Sequence, residues 1–304
     1  MVYTLTFSPS IDYVVHLDNE FEAGNINNVR EEFIQYGGKG VNVSQVLQSL
    51  GVDNIALGFV AGFTGDEIER GLEKLGCKSD FIHLSTGHSR INVKIKAKQE
   101  SEINAQGPYV DEQSILKLYE KIENIDGNDT LILAGRIPKN MPNDLYTGIF
   151  ERLNSKETRI IIDTTGENLI NALAFKPFLI KPNHHELGAL FNEEFTVRDK
   201  ERIVAAARLL QEKGARNVLV SLADEGAILV TEGDDVYIRN APEGIAINSV
   251  GAGDSMVAGF LAGFLETGDM QEALVLGIAA GSATAFVEGL ASGEEIRQLY
   301  RFIG

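Results

Sequence analysis

Two glycine-rich junctions, each followed by a stretch of helical periodicity, hold the residues in this chain best suited to chemistry. They are Gly37-Gly38-Lys39-Gly40-Val41-Asn42 and Asn248-Ser249-Val250-Gly251-Ala252-Gly253-Asp254-Ser255. The first turn of a helix leaves backbone N–H groups without intrahelical partners, and with the helix dipole they form a seat for an anion. Glycines at 251 and 253 let backbone approach a phosphate closely, and Asp254 directs a carboxylate into the same space. A plainer reading stands beside this one, because glycines make tight strand-to-helix turns and aspartate is a favoured N-cap. A third constellation is Lys181-Pro182-Asn183-His184-His185-Glu186, where an amide and a carboxylate three apart could face Mg²⁺ or cap a helix. His184 and His185 make poor zinc ligands: neighbours on a helix point to different faces, and no H-E-x-x-H is present. His16, His83 and His88 read as structural or exposed. Neither junction fits G-x-G-x-x-G or G-x-x-x-x-G-K-[ST], and H-R-D and D-F-G are absent, so dinucleotide, Walker-type and eukaryotic-type kinase sites lose support.

The elements around these junctions follow from periodicity. From about residue 110 onward, amphipathic stretches alternate with the β-branched runs 131–134, 159–163, 178–181 and 218–221, which predicts a parallel sheet covered on both faces. Before that, segments 11–17, 27–35, 90–97 and 101–106 mix polar and apolar residues, as half-exposed antiparallel strands do. Val43, Val46, Leu47 and Leu50 line one face of a helix over 40–50 that Gly51 ends. An extended segment, Ile245-Ala246-Ile247, leads into the second junction, and Val257, Phe260, Leu261, Phe264 and Leu265 keep helical spacing after it.

With 304 residues, 44% of them apolar, the chain can bury a sizeable core, and no Pro/Ser/Gln-rich tract marks a linker. A net charge of −17 is the wrong sign for nucleic acid or an anionic membrane surface, so any anionic ligand must be held by a few local basic groups. Cys77 is the only cysteine, which excludes an intrachain disulfide framework and suits a reducing cytosol. No apolar run reaches the roughly 20 residues that span a bilayer, and a cytoplasmic location is expected.

The first junction resembles the N-terminal signature of the ribokinase-like, PfkB-type sugar kinases, and Val250-Gly251-Ala252-Gly253-Asp254-Ser255 resembles their C-terminal signature. Lys181–Glu186 is similar to the family's N-x-x-E element, and Ser8-Pro9-Ser10-Ile11-Asp12 to its opening substrate-binding turn. Within the family, Arg90-Ile91-Asn92-Val93 and Glu102-Ile103-Asn104-Ala105-Gln106-Gly107-Pro108 are most similar to bacterial 1-phosphofructokinases, with tagatose-6-phosphate kinases next.

The resemblance implies an α/β protein: a ribokinase-like three-layer α/β/α sandwich with a small projecting β-sheet lid. It reads as one kinase domain over 1–304 with lid strands inserted at about 11–35 and 90–107. It also implies roles. Gly251, Ala252 and Gly253 would form the hole for the γ-phosphate of ATP, and Asp254 would be the base for the sugar hydroxyl; a weak base suffices if the transition state is loose. At a helix N-terminus Asp254 is expected to stay ionised. Asp12, Gly38, Lys39 and Asn42 would hold the sugar phosphate, with Lys39, Arg90 and Arg136 the candidates for its existing phosphate group. Arg136 departs from the family, which usually has Ser there. Lys181, Asn183, Ser221 and Gly226 would lie near the nucleotide, although Ala223 stands where the family commonly has Gly. Asn183 and Glu186 would serve Mg²⁺. Ala280, in the small-residue run 277–285, would wall the adenine pocket or simply permit close helix packing.

The implied activity is phosphorylation of fructose 1-phosphate to fructose 1,6-bisphosphate. Tagatose 6-phosphate kinase is the nearest alternative, and an inactive sugar-phosphate sensor is an alternative of another class, disfavoured by the retained Asp254. The exposed edges of the lid sheet lead us to expect a homodimer.

Overall fold

The computed structural model describes residues 1–138, 141–142, 144–153 and 156–304. The chain opens with β1 (Val2–Thr6), β2 (Ser10–Leu17) and β3 (Val29–Gly37), then α1 (Lys39–Ser49), β4 (Asn54–Ala61) and α2 (Gly62–Lys74). Short strands β5 (Lys78–Ser79) and β6 (Ile82–Leu84) precede β7 (Arg90–Lys96) and β8 (Ser101–Ile103). Alternation then sets in: α3 (Glu112–Glu123), β9 (Thr130–Ala134), α4 (Leu145–Leu153), β10 (Arg159–Asp163), α5 (Gly166–Ala172), β11 (Leu179–Ile180), α6 (His184–Phe191), α7 (Lys200–Glu212) and β12 (Asn217–Ser221). The hairpin β13 (Ala227–Val230) and β14 (Val236–Arg239) is followed by α8 (Ala252–Thr267), α9 (Met270–Ala285) and α10 (Gly293–Ile303).

The large sheet has the order β14-β13-β12-β11-β10-β9-β1-β4-β5, with β6 also paired to β4. Its strands are parallel as far as β12; β13 runs antiparallel to β12 because the few residues from Leu222 to Gly226 can only reverse the chain, and β14, antiparallel to β13, turns back to the common direction. The continuous apolar runs are explained by two covered faces. Leu131 and Leu133 enter a core with Leu118, Ile149, Leu187 and Ile203, whereas Ile132 and Ala134 enter one with Val46, Val257, Phe260 and Leu274. Helices α3 to α7 therefore form one outer layer, and α1 with α8, α9 and α10 the other. Each such fully buried aliphatic side chain contributes about 1.5–3 kcal/mol.

The second sheet, order β3-β2-β7-β8, corrects the antiparallel expectation in one place: β2 and β7 are parallel. The chain between them contains two helices, long enough to return β7 in the same direction. Polarity does not sort its faces: Asp12, Asn92 and Lys94 are buried on one, while on the other Ile11, Val15 and Ile95 are buried and Ile34, Ile91 and Ile103 are 46%, 43% and 61% exposed. Ile245-Ala246-Ile247 forms no strand; Ile247 N–H donates to Ala285 O, and both isoleucines are exposed.

Candidate active site

Ligands of open α/β sheets gather outside the carboxyl ends of the strands. Here β10 ends on Asp163, Lys181 directly follows β11, and the N-termini of α1 and α8 bring Lys39, Asn42 and Asp254 to them. Lys39 Nζ lies 2.9 Å from Asp163 Oδ2 and 3.7 Å from Asp254 Oδ1. Lys181 Nζ lies 3.5 Å from Asp163 Oδ1, and Asn42 Nδ2 donates to Asp254 Oδ2 at 2.8 Å. Burial alone would raise the Asp163 pKa, but the ammonium groups of Lys181 and Lys39 outweigh it and hold the carboxyl below its ordinary range. For Asp254 burial wins: it is pushed up to about 6, with Asp163 adding to the rise and Lys39, Asn42 and Lys181 opposing. Desolvation thus exceeds what the local donors return, yet at neutral pH the carboxylate is still ionised, as a helix N-terminus favours. Burial would depress Lys39, yet Asp163 and Asp254 raise its pKa above the usual lysine value.

The turn before α8 is shaped for an anion. Gly251 has φ +83°, and a Cβ there would meet Leu290 at 2.6 Å. A Cβ on Gly253 would meet only the flexible end of Lys181, at 3.2 Å, so its missing side chain leaves room rather than relieving a clash with backbone. Gly38 has φ +113°, with Thr6 filling the space a side chain would need.

A second polar group lies on the inner face of the lid. Asp12 Oδ1 accepts from Ser10 Oγ at 2.7 Å and from Asn92 Nδ2 at 2.8 Å, and Lys94 Nζ stands 3.4 Å from Oδ2. Burial lowers the Arg90 pKa against the pull of Asp12, and its buried Nε has no partner among the described residues. Arg136 is exposed, its Nε donating to Thr165 Oγ1 at 3.2 Å.

Comparison with known proteins decides what this constellation belongs to. A profile described as pfkB family carbohydrate kinase matches residues 5–297. The chain belongs to the pfkB family of carbohydrate kinases. It is 43% identical to a 1-phosphofructokinase of Bacillus subtilis over 98% of this chain and 97% of the other. It is 36% identical to a D-tagatose-1-phosphate kinase of Bacillus licheniformis, over 98% and 97%. Phosphofructokinase-2 of Escherichia coli, solved in complex with substrates and products, superposes with a TM-score of 0.92 at 27% identity, covering 99% of both chains. The ribokinase-like α/β fold expected from the motifs is the one observed, and the chain is a sugar-phosphate phosphotransferase.

The surroundings of several pfkB-motif residues add detail. Lys39 and Asn42, expected at the sugar phosphate, contact Asp254, Asn42 by a hydrogen bond and Lys39 by an ion pair. Ala280 is fully buried in the α8–α9 contact, where a Cβ on Gly259 would lie 2.6 Å from its own; the small-residue run serves close helix packing, and Ala280 walls no pocket. Gly226 (φ +95°) is required by its turn, where a Cβ would sit 2.1 Å from Arg239 O. Ala223, at φ +53°, occupies a left-handed position that explains the family's glycine there. His184 and His185 do not point apart: their rings lie 3.9 Å from each other.

Asn183 and Glu186 form a reciprocal capping box on α6, Asn183 Oδ1 accepting from Glu186 N–H and Glu186 Oε2 from Asn183 N–H. Glu186 Oε1 is left over, and Ser221 at the end of β12 bridges to Asn183. This hard-oxygen set fits Mg²⁺ held partly through water. Asp163 was not singled out by sequence reasoning. Its one signal is an ionisable residue closing an apolar strand at the carboxyl edge of a parallel sheet.

Proposed function

We propose that this single kinase domain, residues 1–304, transfers the γ-phosphate of ATP to the free primary hydroxyl of a phosphorylated ketohexose, converting fructose 1-phosphate into fructose 1,6-bisphosphate. The observation that carries the reading is Asp254: a buried carboxylate, pushed up to about 6, in the first turn of α8 beside the Gly251–Gly253 turn. At neutral pH it is ionised yet more basic than an ordinary aspartate, which suits a general base. The Gly253 and Asp254 amides, in the first turn of α8, face the transferred phosphoryl group, and Lys39 and Lys181 neutralise charge accumulating on it. Glu186 and Asn183 would hold Mg²⁺, which when bound neutralises charge on the nucleotide phosphates. Asp12 and Gly38 orient the sugar, and Arg90, with Arg136 farther out, receives the phosphate already on it; Ser221 and Gly226 lie toward the nucleotide.

Tagatose 1-phosphate, the C4 epimer, is a second reading favoured by the 36% identity to a kinase named for it. Tagatose 6-phosphate requires the sugar to bind in the opposite sense. Measured ADP release over these sugars, fructose 6-phosphate and free fructose separates the readings: kcat/KM should be highest for fructose 1-phosphate, and preference for a 6-phosphate would overturn the proposal. The exposed outer face of the lid, with Ile34, Ile91 and Ile103, supports a homodimer formed by two lids, which sedimentation would show as twice the 33.1 kDa mass. A cytoplasmic location agrees with a lone, buried cysteine, and among the described residues no helix is long and apolar enough to cross a membrane.

A further inference from the structure

We infer that Lys94 is a positioning residue of the sugar site: its buried ammonium fixes the Asp12 carboxylate and ties it to edge strand β8 through Glu102. The inference rests on the reading that Asp12 receives the sugar. Parallel pairing of β2 with β7 sets Asp12 opposite Asn92, so Asp12, Asn92 and Lys94 share the inner face of the lid, and antiparallel pairing of β7 with β8 sets Lys94 opposite Glu102. The Lys94 side chain is only 10% exposed, and an ammonium so desolvated needs opposite charge close by. It has two carboxylates, Asp12 Oδ2 at 3.4 Å and Glu102 Oε1 at 3.5 Å.

Each Asp12 oxygen is thereby held differently. Oδ1 takes the Ser10 and Asn92 donors, whereas Oδ2 lies over Gly37, where a Cβ would come within 2.6 Å, and faces Lys94. A carboxylate has about four acceptor positions, so lone pairs are left for sugar hydroxyls. Both Lys94 distances exceed the usual 2.7–3.2 Å hydrogen-bond range, so Lys94 acts chiefly as a fixed charge. Its charge is taken up by its two carboxylate neighbours, so Lys94 serves Asp12 rather than the phosphate. Arg90, with a buried unpartnered Nε, is the group with spare donor capacity.

Steady-state kinetics of Lys94→Met, Lys94→Arg, Asp12→Asn and the Asp12→Asn/Lys94→Met double variant test this, with Lys94→Gln replacing Lys94→Met if its melting curve shows misfolding. Losing the fixed charge should raise KM for fructose 1-phosphate about 10-fold, within the range of a charged contact. The KM for ATP should stay put and kcat should change less than KM. Lys94→Arg should restore most of the loss, and the double variant should be no worse than Asp12→Asn alone. The kcat/KM penalty should fall equally on fructose 1-phosphate and free fructose. A penalty confined to phosphorylated sugars would make Lys94 a phosphate ligand, and full additivity in the double variant would make it independent of Asp12; either overturns the inference. Unchanged KM in Lys94→Met beside a raised KM in Asp12→Asn overturns the Lys94 role alone, whereas silence of both removes Asp12 from the sugar site.

Discussion

Replacing Asp254 with Asn should make the protein inactive and more stable at once, with the stability gain dependent on pH. The carboxyl is pushed from an ordinary 3.8 up to about 6 by burial, so the folded state holds its proton more tightly than the unfolded chain does. Above about pH 6 the group is charged in both states and the fold bears the full cost of the buried charge; below about pH 3.8 it is neutral in both and the cost vanishes. Each pH unit between the two values is worth about 1.4 kcal/mol, so the buried charge costs about 3 kcal/mol at neutral pH. Asn keeps the shape and can still accept from Asn42 Nδ2, while Lys39 retains Asp163 at 2.9 Å. At about 2 °C per kcal/mol for a chain of this size, Tm at pH 7.5 should rise by about 6 °C, shrinking toward zero near pH 4. Turnover should fall at least about 10²-fold with KM nearly unchanged, since the base is lost and binding is not. Calorimetry from pH 4 to 8 and an ADP-release assay read both effects. A Tm gain equal at pH 4 and pH 7.5, or near-wild-type turnover, would refute the reasoning.

Lys39→Met removes the nearest cation opposing protonation of Asp254, so the acid limb of kcat, expected near pH 6 in the parent, should move to higher pH; a limb that stays in place would show that Lys39 does not act on Asp254. Gly253→Ala places a methyl 3.2 Å from the mobile end of Lys181, so melting should barely change while turnover drops; parallel losses of stability and rate would identify the glycine as a turn residue only. Arg90→Ala should raise KM for fructose 1-phosphate about 10- to 150-fold, the worth of a charge-assisted hydrogen bond, and leave the poor reaction with free fructose little changed. An equal loss with free fructose would make Arg90 structural.

What the amino-acid sequence determined by itself was everything written in local order. The β-branched runs at 131–134, 159–163 and 218–221 became strands because alternate residues fill two cores, and Val43, Val46 and Leu47 became one face of α1 because 3.6-residue spacing needs no knowledge of the partner. The junctions at 37–42 and 248–255 were likewise legible, since glycine before a helical repeat is a statement about a few consecutive residues. The tertiary structure alone decided what depends on distance between remote segments. Asp163 and Lys39 are 124 positions apart and meet at 2.9 Å; Asn42 and Asp254 are 212 apart and meet at 2.8 Å. Pairing of this kind set Lys39 between Asp163 and Asp254, and desolvation set the basicity of that aspartate. The direction of β7, the packing duty of Ala280 and the burial of the polar face of the lid are of the same sort. Periodicity says that a strand has two faces, but only what lies across the cleft determines which of them water leaves.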